Sequence, residues 1–383
     1  MAKRIKIVGI ADASLGYGSP ELPALMHSLC VHFDADGVLI EPDELSRPPV
    51  AKHPDLQFEL TRIKSDYEDH SPLWHSQFLD GAYDLLAKHE PDIVVLWGGV
   101  ILGGMHRLKK QPKLLIYHAC ELISSLSERV IDAHKVFLDR VDLIITPEIE
   151  RFIVDMNCVG VYPQNVACIY NVADVDFPRP PAHKPYTERN GRFIWYGTLH
   201  RRAAFANYFY DPAVREFEFD LYGRITDPEA ELVETAIRGA SNVRYYGLAS
   251  SEDLNRQRQS NIFSLVWWNP ELSAGHYYLS PNRFFTSLQA GLPIICGPHP
   301  QCEDLINRYG CGLVMNDWSL PRFKRTLGEA MEIYRSSDYK IFVDNCQIAS
   351  ADALNWDAQF ERIMTKLAPI IESKPDGKNL LRR

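Results

Sequence analysis

The run at residues 277–297, YYLSPNRFFTSLQAGLPIICG, decides how the rest of the chain is read. Ser280 is a capping residue type, and Pro281 suits the first helical position, where a missing N–H costs nothing. Asn282 and Arg283 then fall in the first turn. That turn leaves backbone N–H groups unpaired and carries the positive end of the helix dipole, so it is ready for an anion, and Arg283 adds a full charge. Phe284, Phe285 and Leu288 give the helix an apolar side, and Gly291 is placed to end it. Residues 292–296 (LPIIC) read as a short buried strand. A helix start aimed at an anion and backed by a parallel strand is the local architecture of a nucleotide-phosphate site. The plainer reading is a capped helix before a core strand.

Working outward, the same strand–loop–helix rhythm recurs on both sides. Downstream of residues 177–191 (FPRPPAHKPYTERNG), a proline-rich linker, come FIWY at 193–196, FEFDLY at 217–222, VRYY at 243–246, IFSLV at 262–266 and a strand at 312–315. Asp227-Pro228 reads as a helix opening, and Ser250 with Asp253 as a capping box. Upstream lie strands near 5–10, 93–97, 114–117, 141–146 and 166–170, with one helix whose apolar side is Leu22, Leu25, Met26, Leu29 and Val31 and another from Trp74. Residues 34–71 mix prolines and charges and give no pattern. Continuous apolar strands alternating with helices specify parallel sheets covered on both faces, so the fold class is α/β with two Rossmann-like halves. The loop Asp12–Pro20 follows the first strand, but its Gly16 and Gly18 do not make the GxGxxG spacing of a dinucleotide site.

Composition narrows the function. A chain of 383 residues with 46% apolar and 24% charged content supplies two cores. A net charge of −9 excludes broad nucleic-acid binding. Arg107, Lys109, Lys110 and Lys113 form a local basic cluster, read as a solvated loop or a point of contact with anionic lipid. Eight scattered cysteines show neither CxxC nor metal-ligand spacing, so reduced thiols in the cytoplasm and no metal site are expected. The basic start lacks the apolar run of a signal peptide, and no window has the length of a membrane span. Membrane contact, if made, is peripheral, at the inner face.

The second half resembles the donor-binding domain of GT-B glycosyltransferases, glycosyltransferase family 4 in particular. The segments that carry the likeness are FIWYGTLHRR, FDLYGRITDP, NVRYYGLASSEDLNRQRQSNIFSLV and SPNRFFTSLQAGLPIICGPHPQCEDLINRYGCGLV, across residues 192–317. IYHACEL, VDLIITPEIERF and VACIYNVADVDF resemble the acceptor domain more weakly. NWDAQFERIM is similar to the terminal helix that returns to the first domain in that family. The resemblance implies an acceptor domain at 1–176, a nucleotide-sugar domain at 192–345 and a returning helix at 350–372, the two parallel sheets facing across a cleft.

Carried over residue by residue, the resemblance puts a nucleotide base near Gly247 and Leu248 and the phosphates near Ser280, Pro281, Asn282 and Arg283. The arginine usual after the first strand of the second domain is replaced by Thr198, and Arg201 and Arg202 are the nearest basic groups for a departing diphosphate. Two glutamates that the family spaces i and i+8 correspond to Tyr278 and Thr286, and a threonine offers ribose only a neutral hydrogen bond. Glu271 lies upstream without matching spacing. In the first half, IYHACEL offers His118 as the catalytic, sugar-facing group, with Glu121 three residues on. A shifted match places Cys120 there instead. Imidazole donates to a hydroxyl or accepts its proton near neutral pH, which favours His118; a satisfied core histidine is the plain alternative. Asp12 and the loop of Gly16 and Gly18 are expected to line the same acceptor cleft as His118.

The expectation is therefore a glycosyltransferase moving a sugar from a nucleotide diphosphate-sugar to a saccharide or lipid-linked acceptor. The resemblance implies retention of configuration, a hexosyltransferase-like activity in polysaccharide or glycoconjugate synthesis, and no cofactor or metal. Alternatives are a non-catalytic nucleotide-sugar scaffold, given the missing glutamates, and a GT-B nucleotide-sugar epimerase.

Overall fold

β4 (Ile93–Trp97) shows why the first unit is layered as it is: Ile93, Val95 and Trp97 enter one apolar cluster, while Val94 and Leu96 enter another on the opposite face. The period-two alternation of an apolar strand thus fills two cores at once. The computed structural model describes residues 4–15, 21–45, 50–123, 126–172 and 185–375. Gly16 and Gly18 lie outside the described residues, as does most of the proline-rich stretch.

The chain divides into two compact units, Met1–Phe177 with Trp356–Arg383, and Pro178–Asn355. The first holds a seven-stranded sheet of β1 (Lys6–Ala11), β2 (Asp36–Asp43), β3 (Glu59–Lys64), β4, β5 (Leu114–His118), β6 (Leu143–Thr146) and β7 (Val166–Cys168). Its spatial order is β3-β2-β1-β4-β5-β6-β7, every pair parallel. The second holds β8 (Phe193–Tyr196), β9 (Phe219–Tyr222), β10 (Val243–Gly247), β11 (Phe263–Val266), β12 (Ile294–Cys296) and β13 (Gly312–Val314), ordered β10-β9-β8-β11-β12-β13 and again all parallel. Chain order reverses at β1/β4 in one sheet and at β8/β11 in the other. Those reversals open a crevice at the carboxyl ends of the strands, where ligands of such sheets bind.

Four local readings of the sequence are corrected. Residues 34–71 contain two strands rather than none. β2 carries Glu41, Pro42 and Asp43, but Glu41 is buried because Arg62 of β3 pairs with it at 2.7 Å and the Leu15 N–H donates to it at 2.7 Å. The linker ends before Arg189, whose buried guanidinium donates to the carbonyls of Asn261 and Gly291 and to Tyr339. Val31, grouped with the apolar side of the first helix (Glu21–His32), is exposed. Asp227 does not open a helix; that helix runs Ala230–Gly239, and Asp227 holds Arg201 instead. The Ser250 cap does form, its Oγ accepting from the Asp253 N–H at 3.1 Å.

Helix Trp356–Ser373 packs into the first unit. Ile363, Leu367 and Ile371 are fully buried in the cluster that also holds Ile93, Leu114 and Leu143. Gln359, itself buried, accepts from the Tyr170 N–H at 2.9 Å, and the Trp356 indole donates to Ser28 Oγ at 2.8 Å.

Candidate functional site

Three neighbouring strands of the second sheet end in the same pair: Tyr196-Gly197 after β8, Tyr222-Gly223 after β9 and Tyr246-Gly247 on β10. All three glycines have positive φ. The Gly197 N–H donates to the Tyr222 carbonyl at 3.0 Å, and the Gly223 N–H to the Gly247 carbonyl at 2.7 Å. Gly223 has no substitute: at φ 128° a Cβ would sit 1.8 Å from the Gly197 carbonyl oxygen. The result is a bare backbone shelf along the carboxyl edge. At its far end, exposed Tyr246 stacks on buried Tyr222, rings 4.6 Å apart and 5° from parallel, next to Gly247 and exposed Leu248.

Arg283 lies at the other end of that shelf. The helix carrying it runs Asn282–Gln289, so Pro281 is the cap residue and Ser280 precedes it. This corrects the expected start by one position: Pro281 keeps an extended ψ of 129°, and no side chain caps the helix. The first turn is therefore open at its N–H end, as an anion site requires. Arg283 is only 7% exposed. Its guanidinium carbon lies 3.7 Å from the Trp195 ring centre and 5.7 Å from that of Trp268, and Gly197 leaves room for it. Nη1 is buried without a hydrogen-bond partner, and among the described residues no carboxylate pairs with the group. Burial lowers its pKa to about 10. A cation stripped of water and lacking a counter-ion calls for an incoming anion.

The remaining expected donor groups divide sharply. Arg201 is neutralised by Asp227 at 2.9 Å and by Glu229, and those pairings raise its pKa and lower that of Asp227. Arg202 is exposed and forms no ion pair among those described. Thr286 is buried; its hydroxyl donates to the Asn282 carbonyl at 3.0 Å and touches Tyr196 Oη at 2.9 Å. Tyr196 Oη also reaches the Arg283 carbonyl at 2.8 Å and Ser287 Oγ at 2.7 Å, tying β8 to the helix. Tyr278 is half-buried with its ring against Tyr277, and Glu271 is exposed on a separate turn. Buried His299 accepts from the Trp268 backbone N–H at 3.2 Å and so anchors the segment that carries the indole; burial lowers its pKa to about 4. Trp195, Trp268 and His299 escaped the sequence reading. The signal was present as tryptophans flanking the strand ends in FIWYG and LVWWN.

In the first unit, a second cluster gathers where chain order reverses. Half-buried Asp12 follows β1 and lies against Gly98 after β4, where φ is 95° and a Cβ would stand 1.9 Å from Asp12 Oδ2. Burial, then repulsion from Glu121, raises Asp12 to about 7. His118 ends β5, fully buried, its ring parallel to Trp97 at 6.4 Å. Burial pushes its pKa down to about 3, aided by Arg151. Glu21, which the sequence did not single out, stands 3.6 Å from His118 Nε2. Cys120 is buried as well, its thiol held protonated by burial, and its carbonyl accepts from Arg151 at 2.5 Å. Among the described residues no group of three or more His, Cys, Asp or Glu side chains is gathered for a metal, and no helix is long and apolar enough to cross a membrane.

No protein-family model matches the sequence, and no curated protein matches it. Solved structures do. Sucrose-phosphate synthase from Thermosynechococcus elongatus superposes with a TM-score of 0.72 at 13% identity, over 97% of this chain and 100% of that one. A glycosyltransferase from Rickettsia africae gives 0.69 at 9% identity, over 97% and 100%. Anabaena HepE in complex with UDP-glucose gives 0.65 at 12% identity, over 95% and 100%. Likeness at this level of identity shows the fold: the chain has the GT-B fold, two α/β units each built on a parallel sheet.

Proposed function

We propose that the protein is a glycosyltransferase that takes a nucleotide diphosphate-sugar in its second unit and passes the sugar to a saccharide or lipid-linked acceptor. The observation that carries this reading is Arg283, a nine-tenths buried cation with no carboxylate partner beside an uncapped helix start. Diphosphate gains charge as the glycosidic bond breaks, and a fixed, water-poor cation with aimed N–H groups favours that state over the ground state. Arg202 adds a solvent-exposed charge; Arg201 is already spent on Asp227. The shelf of Gly197, Gly223 and Gly247 lets the ligand approach the backbone, with the Tyr222/Tyr246 stack beside Leu248 as the platform for a base. In the first unit, His118 contacts the reacting sugar or its acceptor, with Asp12 in the same cluster. Retention of configuration, a hexosyl donor, metal independence, and peripheral attachment to an anionic surface through Arg107, Lys109, Lys110 and Lys113 belong to this proposal. In that basic cluster Arg107 pairs with Asp80, Lys109 with Asp84 and Lys113 with Asp92, so among the described pairings Lys110 is the freest of the four.

The absence of an acidic side chain at Thr286, whose hydroxyl is turned inward, favours one second reading: a protein that binds nucleotide-sugar without turnover. Calorimetry with UDP, GDP, ADP and NAD, followed by incubation with the matching nucleotide-sugars, separates the cases. The transferase binds a nucleoside diphosphate more tightly than NAD and slowly hydrolyses its donor. The binder holds the donor intact, and an epimerase returns it with an altered sugar. Tight NAD binding with none to the diphosphates overturns the proposal.

A further inference from the structure

Around the carboxyl ends of β4 and β5, five buried polar atoms have no hydrogen-bond partner among the described residues: Glu21 Oε1 and Oε2, His118 Nδ1 and Nε2, and Trp97 Nε1. Glu21 and His118 are each 1% exposed. Oε1 and Nε2 stand 3.6 Å apart, just outside hydrogen-bond reach. An unpaired buried polar atom is costly, so five in one place are a poor way to build a core. Hydrogen bonds of functional groups are often long before a ligand arrives and shorten when it does. Burial holds both members uncharged at neutral pH, raising Glu21 to about 8 and lowering His118 to about 3, with Arg151 acting on each. The pair is therefore a carboxylic acid facing a neutral imidazole. A carboxylic acid has one O–H to give, and the nitrogen beside it is Nε2. A neutral ring that accepts at Nε2 carries its own proton on Nδ1.

We propose that Glu21 is a positioning residue for His118: it donates a hydrogen bond to Nε2, fixes the Nδ1–H tautomer, and makes His118 a hydrogen-bond donor toward a sugar hydroxyl. This rests on the reading of His118 as a sugar-contacting group. The other charged or titratable groups around the pair are Arg151 from helix Ile149–Val159, Asp12 after β1, and Cys120 and Glu121 after β5. Arg151 gives an N–H to the Cys120 carbonyl, and Asp12 is turned against Gly98. Glu21 is thus the group aimed at Nε2.

The test is the tautomer itself, read from the ring nitrogens by long-range proton–nitrogen NMR on the ligand-free protein, with the His118 signals identified by their loss in His118→Gln. Wild type shows Nδ1–H. Glu21→Gln keeps it, since an amide N–H also donates, and Glu21→Ala loses it. Nε2–H in wild type, or an unchanged tautomer in Glu21→Ala, overturns the proposal. If the alanine variant does not fold, the wild-type and Glu21→Gln spectra decide: Nε2–H in either counts against it. These spectra need no substrate, so their failure is distinct from failure of the transferase reading, which donor turnover judges. With turnover measurable, Glu21→Ala lowers kcat by about tenfold while UDP affinity stays within about twofold, and Glu21→Gln restores most of the rate. Equal losses in both variants overturn it.

Discussion

The two sheets expose opposite chemistry at equivalent edges. Beyond β8, the second unit offers a cation that no carboxylate among the described residues answers, over a floor of bare backbone. Beyond β1, β4 and β5, the first unit gathers acids and an imidazole, and burial drives these toward their uncharged forms. The equivalent crevice in each unit thus serves a different end: that of the second unit waits for negative charge, that of the first for neutral groups that give and take hydrogen bonds. The glycines show the difference physically. Gly223 is fenced by backbone, whereas Gly98 is fenced by the side chain of Asp12.

The largest effects should come from those glycines. Gly223→Ala combines a left-handed φ with a backbone clash and should cost on the order of 3 kcal/mol or more in chemical denaturation. Gly98→Ala should cost a similar amount, but Asp12→Ala in the same chain should recover part of it, because the clash there is with a side chain. No recovery would mean that the two floors are built alike.

Next in size is Arg283→Ala, expected to weaken nucleoside diphosphate binding by roughly 1.5–3 kcal/mol, the scale of a charge-assisted hydrogen bond. Affinity for the nucleoside should hardly change, and the diphosphate loss should shrink at high salt as far as solvent reaches the site. Equal losses for both ligands in calorimetry would show that the cation does not face phosphate.

The acid edge should appear in pH titrations of stability. Asp12 and Glu21 have folded pKa values near 7 and 8, above ordinary unfolded values of about 4. Taken by themselves these two groups hold protons in the folded state that the unfolded chain has lost, so their contribution to stability falls as pH rises from about 4 to 8 and levels off above, against the opposite contribution of buried His118 and His299 below about 6.5. Asp12→Asn and Glu21→Gln should each flatten that fall. Variants whose stability follows pH just as the wild type's does would remove the argument for buried neutral acids.

The smallest expected difference lies between two adjacent arginines. Arg202→Ala should weaken diphosphate binding by about 1 kcal/mol or less, with strong salt dependence, as an exposed charge does. Arg201→Ala should instead act through stability, by releasing Asp227, and leave affinity nearly unchanged. A reversal would make Arg201 the ligand contact.

The sequence made the sheets legible wherever apolar runs were uninterrupted. IVVLW and LLIYH are strands because each alternate side chain finds a core. β2 stayed hidden because its acids look like loop residues until Arg62 and the Leu15 N–H are seen to meet Glu41. The anion-ready turn was legible from SPNR, although the cap fell one residue later than the residue types implied. What could not be read was pairing at a distance. Nothing in the spacing of Glu21 and His118, or of Trp195 and Arg283, shows that they meet, since parallel crossovers bring such residues together only after folding.

The hydrogen bond between Gln359 and the Tyr170 N–H joins residues 189 positions apart, with the second unit threaded between them. A ribosome adding about 5–20 residues per second needs about 10–40 s to cross that interval. Throughout that time the first sheet stands finished in strand order but uncovered where Ile363, Leu367 and Ile371 will lie. The second unit, whose described strands are contiguous in the chain, can close while the first still waits. During translation, then, the unit made first is the one completed last.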